Sequence, residues 1–325
     1  MKSHFISVLT WALVGAWPLQ VLSQSGFPDR NLRLVVPQTA GGPSDVLGRT
    51  IAQKLSDTLG KAVVIDNKPG AGGNIGSDII AKSKPDGHTI LINIAGILAI
   101  NESLYKTMPF NSGKDLEGLG KIASSNMILV AHPSFAPNTI RELISFVKSK
   151  PAGTFSYGSA GTGSPQHIGG ELLNTKAGIK LNHIPYKGAV PALTDLLGGQ
   201  IPLAIVGLPA ALPNVKAGKL KAIAIFGRTR SAHAPDVATF VETGFAEIEM
   251  ELVYGLFVAT GTPKAIINKL NQDLLGILRT ADVKEKLLTN GFELVDSSPK
   301  ELDDYLKSEI EKWRPIVRDS GAVAD

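Results

Sequence analysis

Apolar residues fall along the chain in short continuous runs separated by amphipathic stretches. Leu32 to Val36 (LRLVV) is one such run, as expected of a strand covered on both faces of a parallel sheet. It passes into Pro37-Gln38-Thr39-Ala40-Gly41-Gly42-Pro43. A helix follows, with Ser44 or Asp45 near its cap, Val46, Leu47, Ile51 and Leu55 on one face, and Gly60 as its stop. The order then repeats. Ala62 to Ile65 predicts a strand, Gly70 to Gly73 a loop, Asn74 to about Lys82 a helix, and His88 to Ile92 a strand entered through the Pro85-Asp86-Gly87 turn.

A second block of the same kind runs from about Asn126 to Gly227. Its strands are Met127 to Ala131, Phe155 to Tyr157, and segments near Leu203 and Ala222. Its helices are predicted near Ile140 to Lys148, Gln166 to Thr175 and Ala189 to Leu197. Tyr254 to Ala259 adds a strand, and three helices finish the chain at Pro263 to Leu278, Ala281 to Thr289 and Pro299 to about Val317. Strands alternating with helices predict an α/β fold on a parallel, doubly wound sheet.

Composition narrows what such a fold does. The chain has 325 residues, 43% hydrophobic and 19% charged, which is globular usage and long enough for two lobes. It opens with Lys2 and the apolar run Phe5 to Leu22, ahead of small residues at Val21 and Ser23. That is the pattern of a secretory signal peptide over residues 1–24, so the protein is expected to be exported. With no cysteine at all, an exported chain of this kind depends on its core and not on disulfides. Thiol catalysis and thiolate metal sites are excluded on the same count. A net charge of +4 without a Lys/Arg block gives no nucleic-acid footprint.

Three Gly-rich loops follow strands and precede helices, where an open α/β sheet gathers ligands and where helix N-termini favour anions. The first holds Gln38, Thr39, Ala40, Gly41, Gly42 and Asp45; its small residues and the Thr39 hydroxyl suit close approach to a ligand. The second, Gly70 to Gly76, falls short of the dinucleotide fingerprint because Ile75 occupies the last glycine position, and it is expected to be a structural turn. The third holds Ser159, Thr162, Gly163, Ser164, Gln166 and His167. Ser164 suits an N-cap, Pro165 the first helical position, and His167 a neutral hydrogen-bonding role in the first turn. Neither Ser159 nor Ser164 stands in G-x-S-x-G, and the histidines show neither H-x₃₋₅-H nor HExxH spacing. No catalytic residue, metal or cofactor is therefore expected. A secreted hydrolase using Ser164 and His167 is the alternative from the enzyme class.

The long runs LRLVVPQTAGGPSDVLGRTIAQKL, SYGSAGTGSPQHIGGELL, HIPYKGAVPALTDLLGGQIPLAI and YGLFVATGTPKAIINKLN resemble the solute-binding receptors of tripartite tricarboxylate transporters (the Bug family). The resemblance covers nearly all of residues 27–325. It implies a two-lobed type II periplasmic-binding-protein fold with a ligand cleft between lobes, residues 25–124 plus 250–325 forming one lobe and 125–249 the other. It also implies a small carboxylate ligand, separate membrane subunits of the transporter as partners, a periplasmic location and a monomer. A ligand-presenting sensor partner would use the same closure. Carried over by position, Thr39 to Gly42 with Asp45 form one binding loop. Ser159, Thr162, Gly163, Ser164, Gln166 and His167 form the other, and Tyr186 and Lys187 border the cleft.

Three departures bear on the ligand. Gln38 stands where the family commonly has an aromatic residue, Asn93 to Ala99 is less polar than usual, and Val206-Gly207 replaces a common Asp-Asn. These changes predict a monocarboxylate or aromatic acid in preference to a tricarboxylate such as citrate.

Overall fold

A computed structural model describes residues 26–320 and Ala324. The leader inferred for residues 1–24 lies outside them. Along the chain run β1 (Leu32–Val36), α1 (Pro43–Leu59), β2 (Val63–Asn67), α2 (Asn74–Ala81), β3 (Thr89–Ile94), α3 (Ala95–Leu104), α4 (Ser112–Asp115) and β4 (Leu116–Ala131). Then come α5 (Ile140–Lys148), β5 (Phe155–Ser159), α6 (Pro165–Ala177), β6 (Leu181–Pro185), α7 (Ala189–Leu197), β7 (Leu203–Gly207), α8 (Leu208–Lys216) and β8 (Lys221–Ile225). The chain closes with β9 (Glu251–Ala259), α9 (Lys264–Leu278), α10 (Ala281–Thr289) and α11 (Pro299–Ser320).

The strands join in the order β2-β1-β3-β9-β4-β7-β5-β6, with β8 also on β4. The flanks are parallel, as expected: β1 lies between β2 and β3, and β5 between β6 and β7. The centre is not. Strands β9 and β4 run antiparallel to each other and to their outer neighbours, so the sheet is mixed and not purely parallel. The reason is that β4 and β9 each serve as a passage between two α/β units instead of closing a strand–helix–strand unit.

Strand β4 makes the architecture. Leu116 to Asn126 pair with β9, and Met127 to Ala131 pair with β7. One strand thus serves two parts of the sheet in succession, and a lobe hangs on each. Only Met127–Ala131 is legible as an apolar run, because Glu117, Lys121, Ser124, Ser125 and Asn126 interrupt the first part. Helix α11 lies across this crossing, close enough that a Cβ at Gly118 would sit 3.1 Å from Leu302 and one at Gly255 2.7 Å from it.

Helix α3 is absent from the sequence prediction for a related reason. Ala95 to Ile100 are all buried, so the helix has no polar face to set a period. It packs between the β3–β9 edge and α11, and it brings Asn101 and Leu104 to the cleft side of its lobe.

Candidate ligand-binding site

The loop after β1 is shaped by one buried acid. Asp45 Oδ2 accepts from the Gly41 N–H (2.9 Å) and Arg49 Nε (2.8 Å), and its Oδ1 accepts from Asn67 Nδ2 (2.9 Å). Burial pushes the Asp45 carboxyl up, but these three donors outweigh it and hold it below the usual carboxylate range. Asp45 therefore clamps the loop from behind, while Gln38, Thr39, Gly42 and Ser44 face the cleft. Ala40 and Gly41 are exposed and line neither chamber described below.

Across the cleft, Ser164 caps α6 as its sequence context predicts. Its Oγ accepts from the His167 N–H (3.2 Å) and donates to the Gly161 carbonyl (2.7 Å). Two imidazoles brace this loop. His167 Nδ1 accepts from the Gly163 N–H (3.3 Å), which leaves the proton of a neutral ring on Nε2. His183 stacks on it with ring centroids 4.0 Å apart, and its Nε2 lies 2.6 Å from Ser159 Oγ. Burial lowers both pKa values, that of His183 to about 3, with the neighbouring His167 adding to the His183 effect. Ser159 is fully buried and holds Gly161 through its N–H (3.0 Å).

Ser164 bonds the backbone of His167 and not its ring, so the nucleophile–base pair required by the hydrolase alternative is not formed. His183 carries the brace on Ser159, and no local signal marks it, since it sits in β6 with no motif around it.

Where the loops meet, the lobes enclose an outer chamber of about 420 Å³. Gln38, Thr162, Ser164, Tyr186 and Lys187 line it together with Pro69 to Gly73, Ile97 and Tyr105. The Gly70 to Gly73 segment, expected to be no more than a turn, is thus part of the chamber wall. Gly70, Ala71, Gly72 and Gly73 all have positive φ, which brings this backbone against the opposite lobe. Tyr186 offers its ring to the chamber, while its hydroxyl donates to Asp195 Oδ2 (2.7 Å). Lys187 is exposed at the rim.

Behind it lies an inner chamber of about 40 Å³, sharing Gln38, Ile97, Ala160 and Gly188 with the outer one. Five helices begin on its wall. Gly42 and Ser44 come from the start of α1, Ile94 from α3, Gln166 from α6, Gly188 and Ala189 from α7, and Gly207 from α8. Of these helices only α6 has a side-chain cap; the other four leave first-turn N–H groups without one. Among the described residues, no ionised side chain lines this chamber. Ile94, Ile97, Leu252 and Tyr254 supply apolar walls, and Gln38 Oε1, Thr39 Oγ1 and Gln166 Oε1 are buried without a hydrogen-bond partner among the described residues.

Gly163 and His167 brace the loop without lining either chamber. Ile94, Leu252, Tyr254 and Gly207 were not singled out as site residues. Ile94 and Gly207 end β3 and β7 beside the cleft, and that position is the signal that would have found them; Leu252 and Tyr254 lie within β9 and carry no such signal.

Among known proteins, the family model described as "Tripartite tricarboxylate transporter family receptor" matches residues 47–322. Protein BugT of Bordetella pertussis is 34% identical over 302 residues, covering 93% of this chain and 92% of that one. The solved structure of the periplasmic binding protein BugD superposes with a TM-score of 0.87 at 33% identity, covering 92% of this chain and all (100%) of the other. The R. palustris protein Rpa4515, solved with adipate, gives a TM-score of 0.87 at 32% identity over 91% and 99% of the two chains. The two solved structures superpose on nearly the whole of this chain, the sequence matches run over most of it, and the chain belongs to the tripartite tricarboxylate transporter receptor family.

Proposed function

We propose that this protein is a periplasmic receptor that captures one small carboxylate by lobe closure and delivers it to the membrane subunits of a tripartite transporter. The observation that carries the reading is the convergence of five helix N-termini, four without side-chain caps, on a chamber that no charged side chain among the described residues lines. Each such terminus favours an anion by about 0.3–1 kcal/mol at an exposed site and up to ~2 kcal/mol when partly buried. An anion is thereby held by dipoles that need no counter-ion to be desolvated, which also lets it leave. The adipate bound to Rpa4515 supports the same ligand class here.

The lobes are residues 25–124 plus 250–325, and 125–249. The change of β4 partner at Asn126/Met127 and the start of β9 at Glu251 support hinges at those two crossings. The protein acts as a monomer, reaches the periplasm by its 1–24 leader, and turns nothing over.

The cleft favours a monocarboxylate or aromatic acid. All three departures noted in the sequence lie on the chamber walls, as Gln38, as Ile94 and Ile97, and as Gly207. Together they replace polar groups by apolar surface more than they add to it. The test is a thermal-shift and calorimetric screen of mono-, di- and tricarboxylates and aromatic acids. A ligand at 100 times its Kd should stabilise the protein by about 2.7 kcal/mol. Silence across the panel, or citrate binding tighter than every monocarboxylate, would refute the respective part.

A further inference from the structure

Gln38 stands at the junction of the two chambers, and the direction of its amide is fixed by groups far less free than itself. Ser77 Oγ donates to the Gly73 carbonyl (3.0 Å), so toward Asn93 it accepts, and Asn93 Nδ2 donates to it (3.1 Å). The backbone N–H of Ile94 donates to Asn93 Oδ1 (2.8 Å). Asn93 and Ser77 are both fully buried, and two backbone groups at the ends of this chain set its polarity. An amide whose orientation would otherwise be ambiguous is thereby settled. Asn93 presents its oxygen to Gln38, Gln38 must offer its NH₂ to that oxygen (3.2 Å), and its Oε1 is left over as an acceptor. That atom is buried and has no partner among the described residues.

An acceptor stripped of water as the lobes close is unfavourable unless something donates to it. A second carboxylate placed there would meet oxygen with oxygen. An ammonium would set a positive charge among helix N-termini of the same sign, and no Asp or Glu among the described residues lines either chamber to offset it. A neutral O–H satisfies the site. Because the helix N-termini crowd the inner chamber and Gln38 borders it, that O–H belongs near the carboxylate, on the first or second carbon from it.

We propose that Gln38 is a specificity-determining residue that selects a hydroxy acid over the same acid lacking the hydroxyl. This rests on the carboxylate reading above and sharpens it. The experiment is titration calorimetry on the full mature chain with three matched pairs: lactate against propionate, 3-hydroxybutyrate against butyrate, and mandelate against phenylacetate. The expected result is that the hydroxylated member binds at least about tenfold tighter in the pair that fits the cleft, the order of effect that one buried unpaired acceptor exerts. Gln38→Leu should bring that pair within about threefold. Asn93→Ala, which frees the Gln38 amide to turn over, should erode the preference while Gln38 itself remains. Melting curves of both variants identify any that fail to fold, and the wild-type comparison stands without them. Equal or tighter binding of the deoxy acids, or a preference that survives Gln38→Leu, overturns the inference and leaves the carboxylate receptor intact. Failure of all six acids together with the wider carboxylate panel overturns both.

Discussion

Ser164 and His183 act on the same loop from opposite sides, and their removal should read out differently. Ser164→Ala strips the only side-chain cap among the cleft helices, so it should lower stability by about 1 kcal/mol. Chemical denaturation of wild type and variant measures this, and an unchanged midpoint would count against the cap. His183 is held neutral by burial, with a folded pKa of about 3 against an ordinary value of 6.5. The unfolded chain therefore binds a proton here that the folded chain refuses. Its contribution is intact above pH 6.5 and is lost progressively as pH falls from there toward about 3. His167 shifts in the same direction, with Glu171 opposing through its charge. Denaturation midpoints should fall between pH 6.5 and 4 with a slope of up to roughly 1.4 kcal/mol per pH unit per group. His183→Gln, which keeps a side-chain amide near Ser159, should flatten that slope. Of these two residues, only Ser164 was legible beforehand. A cap is a local pattern, whereas the His183 contact joins residues 24 apart in sequence through strand register.

At the scale of elements, the cleft is closed by loops that meet nearly backbone to backbone. Gly188, at φ 118°, heads α7, and a Cβ there would come 2.6 Å from Thr39 Oγ1 of the loop before α1. Gly163, at φ 83°, sits equally tightly against Leu104 (2.5 Å) and Asn101 (2.7 Å) on α3. Gly188→Val should thus hinder closure more than folding. We expect carboxylate affinity to drop at least tenfold with a loss of unliganded stability of about 1–3 kcal/mol, from the strained φ and the overpacking. Calorimetry beside denaturation separates the two; affinity equal to wild type would show that the contact is not part of closure. The helices with an amphipathic period were legible in the sequence, α1 and α5 among them. Helix α3 was not, because burial on nearly every side removes the polar face that would mark it.

At the scale of the molecule, the proposed closure of two lobes joined through β4 and β9 would turn on few residues, so a ligand would act on shape as well as stability. Small-angle scattering of the mature protein should show a smaller radius of gyration when a bound carboxylate is present, and an identical curve would exclude closure on binding. The outer chamber of about 420 Å³ is a property of the approach of the lobes, since its wall draws on the loop after β1, on α3, on the Gly70–Gly73 turn and on the loops before α6 and α7.

The sequence by itself determined the class of the protein. Apolar runs alternating with amphipathic stretches, glycine loops after strands, and family runs spread along the chain sufficed for an α/β receptor with an anion-favouring cleft, because each of those signals is local. Tertiary structure alone decided which loop residues face the cleft and which, like Asp45 and His167, hold others in place. It turned a presumed turn at Gly70–Gly73 into a chamber wall and gave the Gln38 amide its direction through Asn93 and Ser77. Those outcomes depend on which buried donors and acceptors find each other, and partners distant in sequence leave no periodic mark in it.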